Sequence, residues 1–138
     1  MGLLKRLLLL QQRNLINYQI VEIVLNIEGL LRHQWQVNTE TDQVQMLLIH
    51  LANALGRIKR GYAAQPLNQA MFAEIKSAVD FAKVFYLHQH ILGFLPFAIP
   101  ESEQTHFITN IYSLTLAQPQ VLTRIEQKMH KEIILKVN

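Results

Sequence analysis

The stretch TDQVQMLLIHLANALGRIKRG, Thr41 to Gly61, decides the fold. Val44, Leu47, Leu48, Leu51, Leu55 and Ile58 recur at intervals of three and four, the spacing of an amphipathic helix. At about 100° per residue these side chains fall in one stripe, and His50 and Arg57, two turns apart, lie together just off its edge. Ala54 stands one turn after His50 and is small, which leaves the imidazole accessible, and Asn53 offers an amide nearby. A histidine in that position is either a structural residue or a site. A histidine that accepts phosphate needs an open ring nitrogen and a cation for the new charge, and this flank carries both.

Outward from this helix the chain continues in the same period. Residues 3 to 34 read as helix, with a weak point around Asn14 to Asn17 and apolar residues nearly all round. A helix apolar on every side must be covered on every side, which points to a homodimer. Thr39, with Asp42 three residues on, resembles a capping arrangement for the central helix, and Gly61 is its expected stop. Asn68 is placed to cap a third helix over about Gln69 to Ser77. A fourth follows from Asp80 to Leu92 and ends at Gly93. Glu101 or Ser102 is the expected cap of a fifth helix running through Leu116. Gln118-Pro119 opens a sixth, striped by Leu122, Ile125, Met129 and Ile133. No segment alternates with period two, and hairpin dipeptides are missing. The expected fold is all-α, a compact bundle of about five to six helices forming a single domain over residues 1–138.

Composition narrows the function. The 138 residues suit one domain, and half are hydrophobic. With no cysteine, disulfide and thiolate chemistry are excluded. The formal charge of +3 is mild and its basic residues are scattered, so no direct nucleic-acid binding is expected. The opening MGLLKRLLLL imitates a secretory signal, but the leucine run is short and no small-residue cleavage site follows. No stretch approaches the roughly 20 apolar residues of a membrane span. The expectation is a cytoplasmic protein with no membrane contact.

Other candidate residues lie downstream. Glu103, His106 and Asn110 fall along one flank of the fifth helix, beside Phe107, Ile111 and Leu114. The flank reads equally as the polar shoulder of an amphipathic helix. His88 and His90 point about 200° apart on a helix, which suits no shared metal. His33 and His130 have no evident partners. No glycine-rich phosphate loop, nucleophile elbow or carboxylate pair occurs, so neither enzyme, cofactor nor metal is expected.

The pattern H-L-x-x-A-L-x-R-x-x-x-G, read as His50, Leu51, Ala54, Leu55, Arg57 and Gly61, resembles the first signature of the phosphotransferase-system regulation domain, or PRD. Leu67-Asn68 and Glu74-Ile75-Lys76 resemble its middle helices, and Ile99-Pro100-Glu101-Ser102-Glu103 resembles the I-P-x-x-E that opens its last conserved helix. The resemblance covers about residues 17–116, with a leader helix and a C-terminal helix over 119–136 appended. It implies a dimeric, non-enzymatic helical module, phosphorylated on histidine by the phosphocarrier HPr or an enzyme II component. Such domains usually serve antiterminators or transcription activators. His50 falls on the first phosphoacceptor histidine and Arg57 on its accompanying arginine; Asn53, Glu103, His106 and Asn110 are the supporting candidates. Three positions depart from the pattern. Asn110 stands where the second histidine belongs, Ile49 where antiterminators commonly carry an acidic residue, and Ala78-Val79 where Tyr-Pro is frequent. An amide takes no phosphoryl group, so a two-histidine switch is not carried over; the alternative is a constitutive interaction domain that keeps the fold. The chain leaves no room for an attached nucleic-acid domain. It is expected to be a stand-alone member, a reading that Met1 favours over an excised fragment.

Overall fold

Two asparagines divide the first helical segment. In the computed structural model, which describes residues 2–137, α1 (Leu3–Gln12) stops where Asn14 turns left-handed at φ 60°. The amide of Leu15 then reaches the carbonyl of Leu10 at 3.0 Å, and that of Asn14 reaches Gln11 at 2.9 Å. This is the bonding of a Schellman stop with asparagine in the usual glycine place. Asn17 opens α2 (Tyr18–Gln34), its side chain accepting from the Ile20 amide at 3.0 Å. The leader is therefore a helix of its own. Instead of five or six helices, the described residues form seven and no strand. Met1 and Asn138, the ends of the expected domain range, lie outside the described residues.

The central helix, α3 (Asp42–Lys59), is capped two residues later than the expected Thr39. Its cap is Thr41, whose hydroxyl accepts from the Val44 amide at 3.3 Å. Thr39 is buried and engaged elsewhere, donating to Glu28 at 2.6 Å. Arg32 also bonds Glu28, and these contacts hold the Glu28 carboxyl below its usual range despite partial burial. Thr41→Ala is expected to cost about 1 kcal/mol in chemical unfolding, whereas no capping loss should follow from Thr39→Val. Gly61 stops α3 as expected, at φ 89°, with Tyr62 and Gly61 amides on the Arg57 and Ile58 carbonyls.

Four helices follow. Asn68 caps α4 (Gln69–Lys76) through the amides of Ala70 and Met71. A tight turn leads into α5 (Phe81–Leu92), and Pro100 occupies the cap position of α6 (Glu101–Ala117). Neither Glu101 nor Ser102 caps that helix; both lie inside its first turn, where proline's fixed φ starts the chain. After Pro119 runs α7 (Gln120–Val137).

α3 packs against α1, α2 and α6, while α6 also meets α4, α5 and α7. One cluster of buried residues threads all of them, including Leu7, Val24, Leu48, Leu87, Leu114 and Ile125. The joint between α6 and α7 is tied back to the segment before α3 by Gln118. Its side-chain amide accepts from the Asn38 amide at 2.8 Å and donates to the Asn38 carbonyl at 3.0 Å. Leu4, Leu8 and Leu9 on α1, and Ile133 to Leu135 on α7, remain exposed. No described helix is long and apolar enough to cross a membrane.

Candidate functional site

Between the second half of α3 and the flank of α6 runs an open groove of about 450 Å³. His50, Ala54 and Arg57 form one wall; Glu103, His106 and Asn110 form the other, with Ala64 at the end. The two flanks singled out in the sequence thus face one another. Asn53 does not line the groove. Half-buried three residues after His50, it lies on the opposite side of that histidine from Ala54, which faces in.

Glu103 is the hinge of the arrangement. It is wholly buried, although it sits in the polar flank of α6. Arg57 donates to it twice, through Nε at 3.2 Å and Nη2 at 3.0 Å, and the Ala64 amide donates at 3.2 Å. Its place in the first turn of α6 adds the favourable end of the helix dipole. A buried carboxylate survives only with such partners. Arg57 is consequently not a free cation. Its side chain is 37% exposed, and the N–H groups not turned to Glu103 remain for another acceptor.

The turn at Gly61 makes these bonds possible by sending residues 62–68 back across the start of α6. Besides Ala64, this loop is held by Leu67, whose amide donates to Thr105 Oγ1 at 2.9 Å. The Gln65 carbonyl meets His106 Nε2 at 2.7 Å. His50 is exposed at the other wall, and Asn110 is half-buried.

Behind Phe107 and Asn110 lies a small apolar cavity of about 20 Å³, bordered also by His88 of α5. His88 is fully buried. Gln104 donates to the Ile99 carbonyl at 2.9 Å, which turns its Oε1 to His88 Nε2 at 3.1 Å. Nε2 therefore carries the proton, and Nδ1 has no partner among the described residues. Burial pushes the His88 pKa below 6.5, and the Gln104 bond offsets this in part. The spacing of Val84, His88 and Ile91 on the apolar face was the available signal, but only as core.

The linkage has a definite sign. Above pH 6.5 His88 is neutral folded and unfolded; below it the unfolded chain takes the proton first. Stability due to this residue is expected to be present above 6.5 and to be lost as the pH falls towards the lower folded value. Urea unfolding at about pH 5 and about pH 7.5 should show that loss, and His88→Gln should lessen it.

The remaining histidines are elsewhere. His90 faces Glu132 at 3.6 Å and packs edge-on against Trp35; His33 neighbours Arg32 at 3.1 Å; His130 is exposed. Among the described residues no group of three or more His, Asp or Glu side chains is placed to hold a metal.

No protein-family profile matches the chain. It is 42% identical over 121 residues to an uncharacterized protein of Haemophilus influenzae, covering 88% of this chain and 97% of that one. It is 27% identical over 112 residues to the uncharacterized protein YhfY of Escherichia coli, covering 81% and 93% respectively. No solved structure matches it.

Proposed function

We propose that this chain, which belongs to the same family as the uncharacterized Haemophilus influenzae protein, is a PRD-like, non-enzymatic regulatory module. In this reading His50 accepts a phosphoryl group from HPr or an enzyme II component in the cytoplasm, and a homodimer carries the response to transcription or antitermination. The observation that carries the reading is the groove, in which an exposed histidine on α3 shares a wall with Arg57 and faces the α6 flank.

The physical consequence is electrostatic. A phosphoryl group adds about −1.5 to −2 charges, by analogy with phosphoserine-type groups. The uncommitted N–H groups of Arg57 are matched donors for its oxygens. Because Arg57 also holds Glu103, and Glu103 holds Ala64, new charge at His50 pulls on the bonds that fix the 62–68 loop. A two-state dimer packing is the kind of element such a pull biases.

The test is labelling from phosphoenolpyruvate through enzyme I and HPr, with enzyme II components tried in turn and modified residues mapped by fragmentation. Wild type is expected to carry label on His50, and His50→Ala none at that position. A second reading, a constitutive interaction domain, is favoured by Asn110 and by the prior commitment of Arg57 to Glu103. Wild type that takes no label from any of these donors would establish it instead.

A further inference from the structure

We infer that the outward face of α1 is a docking surface for an anionic lipid bilayer, on which the protein lies without crossing it. The inference goes beyond the regulatory reading and is independent of phosphorylation.

The leader helix has two apolar faces. Leu3 and Leu7 are buried and Leu10 is half-buried, on the side that packs against α2 and α3. Leu4, Leu8 and Leu9, by contrast, are 51%, 44% and 38% exposed. By helix geometry these three share an outward arc of about 140°, interleaved with the exposed Lys5 and Gln12. Beyond the stop at Asn14, Leu15 and Tyr18 are exposed as well.

Charge complementarity says what covers this face. Lys5 and Arg13 are exposed, Arg6 is half-buried, and no acidic residue precedes Glu22 in the sequence. The end of α3 adds Lys59 and Arg60, both exposed, which line one groove with Asn14 and Leu15. Arg60 is tied there by its 2.6 Å bond to the Leu15 carbonyl. At the other end of α1, Glu28 and Glu40 border Leu4, but Glu28 is already bonded to Arg32 and Thr39. The positive charge is therefore strongest towards Arg13. A second copy laid face to face would set these cations against their own counterparts, so a homodimer is better served by another surface. A nucleic acid would meet the cations and leave the leucines in water. An anionic bilayer answers both. The leucines enter the acyl boundary, the long stems of lysine and arginine let their charges reach the headgroups, and tyrosine suits the interface. The expectation of no membrane contact came from the length of the apolar runs, and length excludes only crossing.

The experiment sediments the full chain with vesicles of mixed phosphatidylglycerol and phosphatidylcholine, and with vesicles of phosphatidylcholine alone. Binding is expected only to the anionic vesicles, and it should weaken as salt is raised. Lys5→Gln and Arg13→Gln should each weaken it roughly fivefold, the worth of one cation at such a surface. Leu8→Gln should weaken it roughly tenfold, because it removes a side chain that enters the lipid. All three positions are exposed, and melting curves matching wild type show that the variants fold. Lys76→Gln, on α4, is the control and should leave binding unchanged. The chain has no cysteine, so Leu8→Cys takes a single environment-sensitive dye. Its emission should shift to the blue on anionic vesicles, while the same dye on Gln89→Cys of α5 does not shift. No binding to anionic vesicles overturns the inference, as does equal binding to both kinds. Binding that Leu8→Gln leaves intact is attraction by charge alone and overturns it too. A dimer that Leu8→Gln dissociates in analytical ultracentrifugation, with no vesicle binding by wild type, gives the face to a second copy instead.

Discussion

Arg57→Ala is expected to lower stability by about 3–5 kcal/mol, the usual cost of leaving a buried charge without its partner. For a chain of this size that is a fall of roughly 10–20 °C in Tm. The loss is not symmetrical between the two residues. Glu103 is wholly buried and, without Arg57, keeps only the Ala64 amide. Arg57 is 37% exposed, so after Glu103→Gln its guanidinium turns to water. That variant should cost less, about 1–3 kcal/mol. Equilibrium unfolding in urea of both variants and the double variant gives the coupling energy directly. If Arg57→Ala costs less than about 1 kcal/mol, the pair is an ordinary surface bridge and the groove is not built around it.

That pair also shows where sequence reading stops. The central helix was legible because its stripe is local, and so was the Gly61 stop, because only a few adjacent residues determine it. Glu103 was not. On α6 it reads as part of a polar shoulder, and what makes it the buried centre of the site is an arginine 46 residues earlier. Thr39 misled for a similar reason: its spacing to Asp42 imitates a cap, yet its hydroxyl is taken by Glu28 from the preceding helix, which leaves Thr41 to cap α3. His88 signalled only a place in the core, and Gln118 carried no local signal, since their hydrogen-bond partners are brought up from elsewhere in the chain. The facing of the α3 and α6 flanks belongs to the same class, a product of packing that periodicity leaves open. The leader's separation from α2, by contrast, was visible as a cluster of asparagines, and only the left-handed turn at Asn14 made it a full stop.

Gly56→Ala is expected to destabilise the protein by about 1–3 kcal/mol, against the trend for a helix interior. By propensity alone the change should stabilise, since glycine inside a helix costs about 1 kcal/mol relative to alanine. The position is not free to take the gain. A Cβ on Gly56 would run into the backbone carbonyl oxygen of Leu15 and come within 3.2 Å of both Arg60 Nη1 and Ile16 Cγ2. The carbonyl cannot easily retreat, because Arg60 Nη1 bonds it at 2.6 Å and so ties the 13–17 connector to α3. The connector must lift, loosening the start of α2, where Asn17 caps the helix and Ile20 and Val21 enter the core. Faster hydrogen exchange at the Ile20 and Val21 amides should accompany the lower midpoint in urea. Gly29, inside α2, supplies the opposite case: nothing lies within 4 Å of its Cβ position. Gly29→Ala should therefore gain about 1 kcal/mol in the same assay. Should the two substitutions shift stability in the same direction, close approach of the connector is not what keeps glycine at position 56.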